Sequence, residues 1–226
     1  MAVVRTVPEA RPARVSHAAA AEILAARDPV LAGLIAAAGP IRISRRGTAS
    51  HFATLVQAIV YQQLAGAAAS AIHGRLVAAL DEEVEPAALL ALSDEALRAV
   101  GLSANKVRSL RDLAAKVIDG TVVLSPRRLS RQSDEEIIAS LSTVRGIGPW
   151  TAQMFLIFRL RRLDVWPVGD FGVRQGYGLA WKVPTPTARD LEPLGEPYRP
   201  YRTVIAWYCW RAVELYGRAA DSALTR

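Results

Sequence analysis

The chain has 226 residues, 51% of them apolar, and Lys plus Arg exceed Asp plus Glu by 28 to 21, a net charge of +7. That composition supports one or two packed domains, excludes a disordered chain, and favours a polyanionic partner through counterion release. One cysteine, Cys209, and three scattered histidines, His17, His51 and His73, exclude an intrachain disulfide framework, a four-cysteine iron–sulfur cluster and a zinc site of ordinary spacing.

Met1 to Arg14 is rich in Val, Pro and Arg and lacks a signal peptide's apolar core, so a flexible leader (residues 1–15) of a cytoplasmic protein is expected. Ser16 is placed to cap a helix through about Ala26. Asp28-Pro29 is an N-cap followed by a first-turn proline, and Gly39 ends that helix. Ile41 to Arg46 alternates apolar and basic residues, as a short extended piece would. Ser50 opens a helix to about Leu64, followed by helices over Gly66–Leu80 and Ser93–Val100. Another runs from Ser103 to Gly120. Ser133 and Glu136 have capping-box spacing and start a helix through Val144. Pro149 opens the next, through about Leu160. Pro184 to Pro200 holds five prolines and reads as a loop-rich connection with one short helix. From Tyr201 to Tyr216, the residues Ile205, Tyr208, Cys209, Ala212 and Tyr216 share one helical face, with Gly217 as the stop. Few segments read as strands, and no uncharged apolar run reaches the roughly 20 residues of a membrane span. The expected fold class is all-α, with many short helices.

The densest information lies in 141–152, Leu-Ser-Thr-Val-Arg-Gly-Ile-Gly-Pro-Trp-Thr-Ala. One helix ends near Val144, another starts at Pro149, and about four residues join them. Gly146 and Gly148 permit positive φ and leave backbone amides uncovered. Those amides, with the dipole of the next helix, suit a phosphate oxygen, while Leu141, Val144 and Ile147 pack between the two helices. A bare Gly-x-Gly turn is an ordinary helix corner. The fuller pattern, with Arg145 inside it and Thr151-Ala152 after it, points to a helix-hairpin-helix that grips DNA backbone without reading sequence.

This segment resembles the helix-hairpin-helix DNA glycosylase superfamily, specifically its 3-methyladenine DNA glycosylase II branch. The similarity runs from about Ser50 to Tyr216. Ala58-Ile-Val-Tyr-Gln-Gln-Leu-Ala-Gly66 is similar to the family's Gln-Gln-Leu/Ile helix end, and 165–175, Val-Trp-Pro-Val-Gly-Asp-Phe-Gly-Val-Arg-Gln, is similar to its catalytic aspartate segment. The resemblance implies two helical subdomains flanking a DNA-binding cleft: 16–50 with 163–226, and 51–162 with the hairpin at 141–152. An N-terminal β-rich domain found in some relatives is expected to be absent.

By the resemblance, Asp170 is the catalytic carboxylate. It would stabilise the oxocarbenium ion formed when a base leaves and orient or deprotonate the attacking water. Taken alone, an aspartate before a helix at Phe171–Ala180 is an N-cap, and the two roles are compatible. Asp164 fits a loop bond better. Bifunctional relatives carry a nucleophilic lysine just after the hairpin, where this chain has Trp150. No lysine lies between Lys116 and Lys182. Simple hydrolysis to an abasic site is therefore expected.

The flipped base needs a pocket, and electron-rich rings suit a cationic alkylpurine. The resemblance puts Trp150, Phe171 and Tyr201 there, with Met154 one turn after Trp150 and Tyr61 nearby. Tyr201 stands where relatives can hold tryptophan. Gln63 is the expected wedge into the vacated stack, with Leu64 and Gln62 beside it. Arg127, Arg128 and Arg131, and separately Arg159, Arg161 and Arg162, are solvated faces or DNA contacts. Lys106, in a Gly-Leu-Ser-x-x-Lys loop like the family's, stabilises the fold or touches DNA. No cofactor or catalytic metal is expected beyond a monovalent cation at the hairpin carbonyls. The implied protein is a monomeric, nucleoid-associated, bacterial-type enzyme acting on damaged double-stranded DNA, 3-methyladenine first, with 7-methylguanine, 1-methyladenine, ethenoadenine and hypoxanthine as further candidates. The rivals are a glycosylase for oxidised or mismatched bases, a non-catalytic hairpin module and a helical protein–protein adaptor.

Overall fold

The computed structural model describes residues 15–43 and 47–224. The leader expected over Met1–Arg14 and the end of the 41–46 piece lie outside them. In chain order the helices are α1 (His17–Ala25), α2 (Pro29–Ala38), α3 (His51–Tyr61), α4 (Gly66–Ala79), α5 (Pro86–Ala91), α6 (Asp94–Ala99), α7 (Ala104–Ile118), α8 (Pro126–Leu129), α9 (Asp134–Ser142), α10 (Pro149–Met154), α11 (Phe171–Trp181), α12 (Ala188–Leu194) and α13 (Arg202–Leu224). A π-helical stretch, Phe155–Leu160, continues α10, and a 3₁₀ turn covers Glu196–Tyr198. Among the described residues there is no strand, as the helical periodicity predicts.

Side-chain caps explain most of the starts. Ser16, Ser50, Ser93, Ser103, Ser133 and Thr187 each accept from the amide three residues on. Asp28 takes the amides of Val30 and Leu31, and Ser133 with Glu136 closes the predicted capping box. The short helices α5 and α8 escape that reading: each starts on a proline with no side-chain cap. Three boundaries differ from expectation. Helix α3 stops at Tyr61 because Gln62 turns extended and Gln63 is left-handed at φ 56°. The helix begun at Pro149 widens to π geometry at Phe155. Helix α13 runs through Gly217, since an interior glycine costs only about 1 kcal/mol, too little to end a long helix. On α13, Ile205, Tyr208, Cys209 and Ala212 are buried, but Tyr216 is exposed and does not join that face.

Two hydrophobic clusters fill the interior. One gathers α3 to α10 around Leu55, Ile59, Leu110, Leu141 and Ile147. The other gathers α1, α2, α11 and α13 around Leu31, Val173, Ile205 and Tyr208. Trp207 and Trp210 of α13 pack against both. Gly176 allows α11 and α13 to touch backbone to backbone, since a Cβ there would sit 1.8 Å from the Cys209 carbonyl oxygen. Among the described residues no helix is long and apolar enough to cross a membrane.

Candidate active site

Between α9 and α10 the chain turns as the hairpin pattern predicts, with Leu141, Val144 and Ile147 all buried beneath it. Only Gly146 uses its conformational freedom, at φ 79°, and a Cβ there would meet the Ser109 hydroxyl at 2.6 Å. Gly148 has an ordinary φ of −93° and acts as the N-cap of α10, so the expectation of two left-handed glycines is corrected to one. The amide of Ile147 closes the turn on the Val144 carbonyl, and that of Arg145 donates to Asp112 Oδ2 at 2.7 Å. Among the described residues no protein acceptor meets the amides of Gly146, Gly148, Trp150 and Thr151. Exposed N–H groups at the start of a helix form an anion cradle. The Ile147 side chain is buried, so only its backbone reaches the surface, and the Arg145 side chain is exposed.

Helix α7 braces this hairpin from below. Asp112 also accepts from Lys116 Nζ, which in turn bonds the Thr143 carbonyl. Burial works against the Asp112 charge, but Lys116 and the Arg145 amide outweigh it and hold the carboxyl below its ordinary range.

Asp170 is the N-cap of α11: its Oδ1 accepts from the Val173 amide at 2.8 Å. The same oxygen accepts from Trp210 Nε1 at 3.0 Å, and Oδ2 accepts from Trp150 Nε1 at 2.7 Å. Gly172 makes room for this, because a Cβ there would lie 3.0 Å from Trp210 Cδ1 and 3.1 Å from Asp170 Oδ1. Two indoles from helices 60 residues apart in sequence thus hold one half-buried carboxylate. Trp210 was missed by sequence reasoning, which took Cys209 as the inward residue of that turn.

Aromatic surface surrounds the carboxylate. Trp150 is 47% exposed and Phe171 62% exposed, with the Arg174 guanidinium 5.5 Å from the Phe171 ring centre. Phe158, a second residue not singled out in the sequence, stacks on Trp210 at 5.7 Å. Phe158 also lines a cleft of about 380 Å³, together with Tyr61, Thr151 and Met154 among others. Tyr61 and Met154 line this cleft, whereas Trp150 and Phe171 lie at the Asp170 carboxylate, and Phe158, stacked on Trp210, joins the two. Tyr201 does not line this cleft. It precedes α13, about 13 Å along the axis from Trp210 at 1.5 Å per residue, and it lines a different, larger cleft of about 970 Å³ with His17, Asp134 and Arg161. Asp170 itself lines neither cleft.

The turn after α3 splits the expected wedge. Gln63 and Leu64 are exposed at its tip. Gln62 faces inward, donating through Nε2 to the Gly146 carbonyl at 2.9 Å and to Thr151 Oγ1 at 3.4 Å. Its amide is committed to the hairpin, so Gln62 is removed from the wedge. The same amide takes the nearly buried Thr151 hydroxyl as an acceptor.

The remaining charged candidates are mostly internal. Arg159 binds the carbonyls of Gly47 and Ala49 and His51 Nδ1; Arg161 binds the Ile43 carbonyl; Arg162 binds those of Leu129 and Gln132. This cluster staples loops and is not a solvated face. Arg127, Arg128 and Arg131 are exposed. Asp164 bonds Arg199 and Arg202 and is, as its loop position predicts, structural. Lys106 donates to the Val60 carbonyl at 2.6 Å, capping α3, and burial lowers its ammonium pKa.

Residues 56–200 match the family described as HhH-GPD superfamily base excision DNA repair protein. The chain is 36% identical over 164 residues to DNA-3-methyladenine glycosylase 1 of Schizosaccharomyces pombe, covering 71% of this chain and 72% of that protein. It is similar in structure to a DNA-3-methyladenine glycosidase from Bacillus halodurans, with a TM-score of 0.80 and 33% identity over 88% of this chain and 91% of the other. The Schizosaccharomyces pombe 3-methyladenine DNA glycosylase in complex with abasic DNA superposes with a TM-score of 0.75 and 32% identity, covering 86% of this chain and 96% of that one.

Proposed function

This chain belongs to the HhH-GPD superfamily of base excision DNA repair proteins, and from that premise we propose that it removes alkylated purines from duplex DNA by hydrolysis, with Asp170 as the catalytic carboxylate. It is a DNA glycosylase, and DNA is its partner. The observation that carries the mechanism is the cradle around Asp170. Two indole N–H groups and a helix-start amide fix the carboxylate beside the exposed rings of Trp150 and Phe171.

As the C1′–N bond breaks, positive charge develops on the sugar. A fixed carboxylate stabilises it without reorganising at the moment of reaction. Water supplies the new C1′–O bond, its proton passes to Asp170 or solvent, and the base leaves with the former bonding pair. A purine nucleotide methylated at N3 or N7 is cationic before cleavage, so exposed Trp150, Phe158 and Phe171 faces suit it. The relatives' names support 3-methyladenine as the first substrate, ahead of 7-methylguanine, 1-methyladenine and ethenoadenine. Trp150 occupies the helix start after the hairpin, and no lysine lies from 117 to 181, which supports hydrolysis that leaves the strand whole.

Grip is assigned to the free hairpin amides with Arg145, and the wedge to Gln63 and Leu64. The protein acts as a monomer in this reading. Hairpin carbonyls of Thr143 and Gly146 already accept from Lys116 and Gln62. The Lys116 ammonium repels a monovalent cation at Thr143, so of these two carbonyls only that of Gly146, whose second lone pair is open, suits one, which would add positive charge beside the bound phosphate.

The test is base release from methylated duplex DNA. Wild type releases methylated purine, and Asp170→Asn, which keeps a good N-cap, binds abasic DNA but releases none. Wild type that releases no methylated base would end this reading.

A further inference from the structure

We propose that Gln62 is a positioning residue that locks the wedge turn to the DNA-gripping hairpin, so that grip and base flipping are mechanically one event. The inference rests on the roles given above to the hairpin and to Gln63–Leu64.

The turn and the hairpin are 84 residues apart in sequence, and the Gln62 side chain spans them. One amide group reaches the hairpin tip at Gly146 and the first turn of α10 at Thr151. Its backbone is extended, and the left-handed Gln63 that follows sends the next two side chains outward. Inward Gln62 and outward Gln63–Leu64 are therefore set by one reversal.

Each of the two parts is held independently of Gln62. Helix α7 presents Lys106, Ser109, Asp112 and Lys116, spaced by three or four residues and so along one face. Lys106 holds the end of α3 at Val60, Ser109 packs on Gly146, and Asp112 and Lys116 hold Arg145 and Thr143. Removing the Gln62 amide frees neither part. Because Lys106 holds α3 at Val60, before the chain reverses at Gln63, losing the amide removes the direct restraint on the turn itself and loosens the separation between a bound phosphate and the inserting side chain. An offset of about 1 Å in such a geometry is costly to a reaction that depends on positioning.

The probes are undamaged duplex, the same duplex with one abasic site, and methylated duplex, all with the full chain. Gln62→Met, which keeps length without a donor, and Gln62→Leu, which keeps bulk without adding charge beside the phosphate, should bind undamaged duplex within about twofold of wild type. Both should lose about tenfold in single-turnover base release, equivalent to about 1.4 kcal/mol, and a similar factor in preference for the abasic duplex. In a Gln63→Ala, Leu64→Ala background, adding Gln62→Met should cost under about twofold more, because its effect runs through that turn. Equal losses on all three DNAs, no loss on any, or full additivity in the triple variant would overturn the proposal. If wild type releases no base, the glycosylase reading falls, while the ratio of abasic to undamaged binding still decides the role of Gln62.

Discussion

The indole nitrogen of Trp150 donates to Oδ2 of Asp170 across 2.7 Å, joining the hairpin helix α10 to the start of α11. Trp210 does the same for Oδ1 from α13. A hydrogen bond to a charged acceptor contributes about 1.5–3 kcal/mol. Trp150→Phe and Trp210→Phe each keep a ring and delete one donor, so each should slow single-turnover base release by about 10- to 100-fold. Abasic-DNA affinity should change far less. The double variant should fall short of the product of the two, because both donors restrain one carboxylate. Unchanged rates in both single variants would mean that the indoles serve only as surface for the base.

Gly172 and Gly176 lie one turn apart on α11 and separate activity from stability. A Cβ at 172 would press on Trp210 Cδ1 and Asp170 Oδ1 at 3.0 and 3.1 Å, contacts that give way by a few tenths of an ångström. Gly172→Ala should therefore displace the Trp210–Asp170 bond and cut base release about tenfold or more while thermal melting shifts little. At 176 the Cβ would lie 1.8 Å from the Cys209 carbonyl oxygen, a collision with backbone. Gly176→Ala should destabilise by about 4 kcal/mol or more and yield little folded protein. Parallel melting and activity curves for the two variants check the contrast.

How far the sequence reached depends on the range of the forces involved. Caps at Ser16, Asp28, Ser50 and Ser133 act over three residues, so local spelling sufficed for most helix starts. The Gly-Ile-Gly hairpin and the cap role of Asp170 were legible for the same reason. Trp210 was not: its bond to Asp170 crosses 40 residues and depends on Gly172 leaving space, and neither fact has a local signature. Gln62 went to the wrong role because adjacent glutamines look alike until the left-handed Gln63 turns them to opposite sides. Tyr201 was carried to the pocket by resemblance alone, and it lines a different cleft from Tyr61 and Met154. Arg159, Arg161 and Arg162 read as surface charge because the carbonyls they serve lie in loops up to 118 residues distant.

The occupant of the position after the hairpin bears on the product. Without a lysine from 117 to 181, no amine is available on α9, α10 or α11 to attack C1′ and open the sugar. Wild type incubated with methylated duplex should yield intact strands that break only on later alkali treatment. Borohydride added during the reaction should trap no covalent protein–DNA species. Breaks without alkali, made by purified protein and absent with Asp170→Asn, would assign a lyase activity and refute simple hydrolysis.

Acid should weaken the fold through two histidines. Burial, and then the charge of Arg161, lowers the His17 pKa against an opposing bond to the Arg162 backbone; burial lowers that of His73. His17 Nε2 is buried without a hydrogen-bond partner, as suits a neutral ring. With folded pKa values below the ordinary one near 6.5, the unfolded chain takes up protons first as pH falls. Stability is then full above about pH 7 and declines from about 6.5 down to the folded pKa values. Asp134 works in the opposite sense, since burial raises its pKa and favours the folded protein while protonated. The measurement is therefore a difference: melting temperatures at pH 7.5 and pH 5 for wild type and for His17→Gln with His73→Gln. The double variant should lose less on acidification than wild type, because it has no histidine whose protonation the fold resists. An equal loss in both proteins would assign the acid sensitivity to the carboxylates.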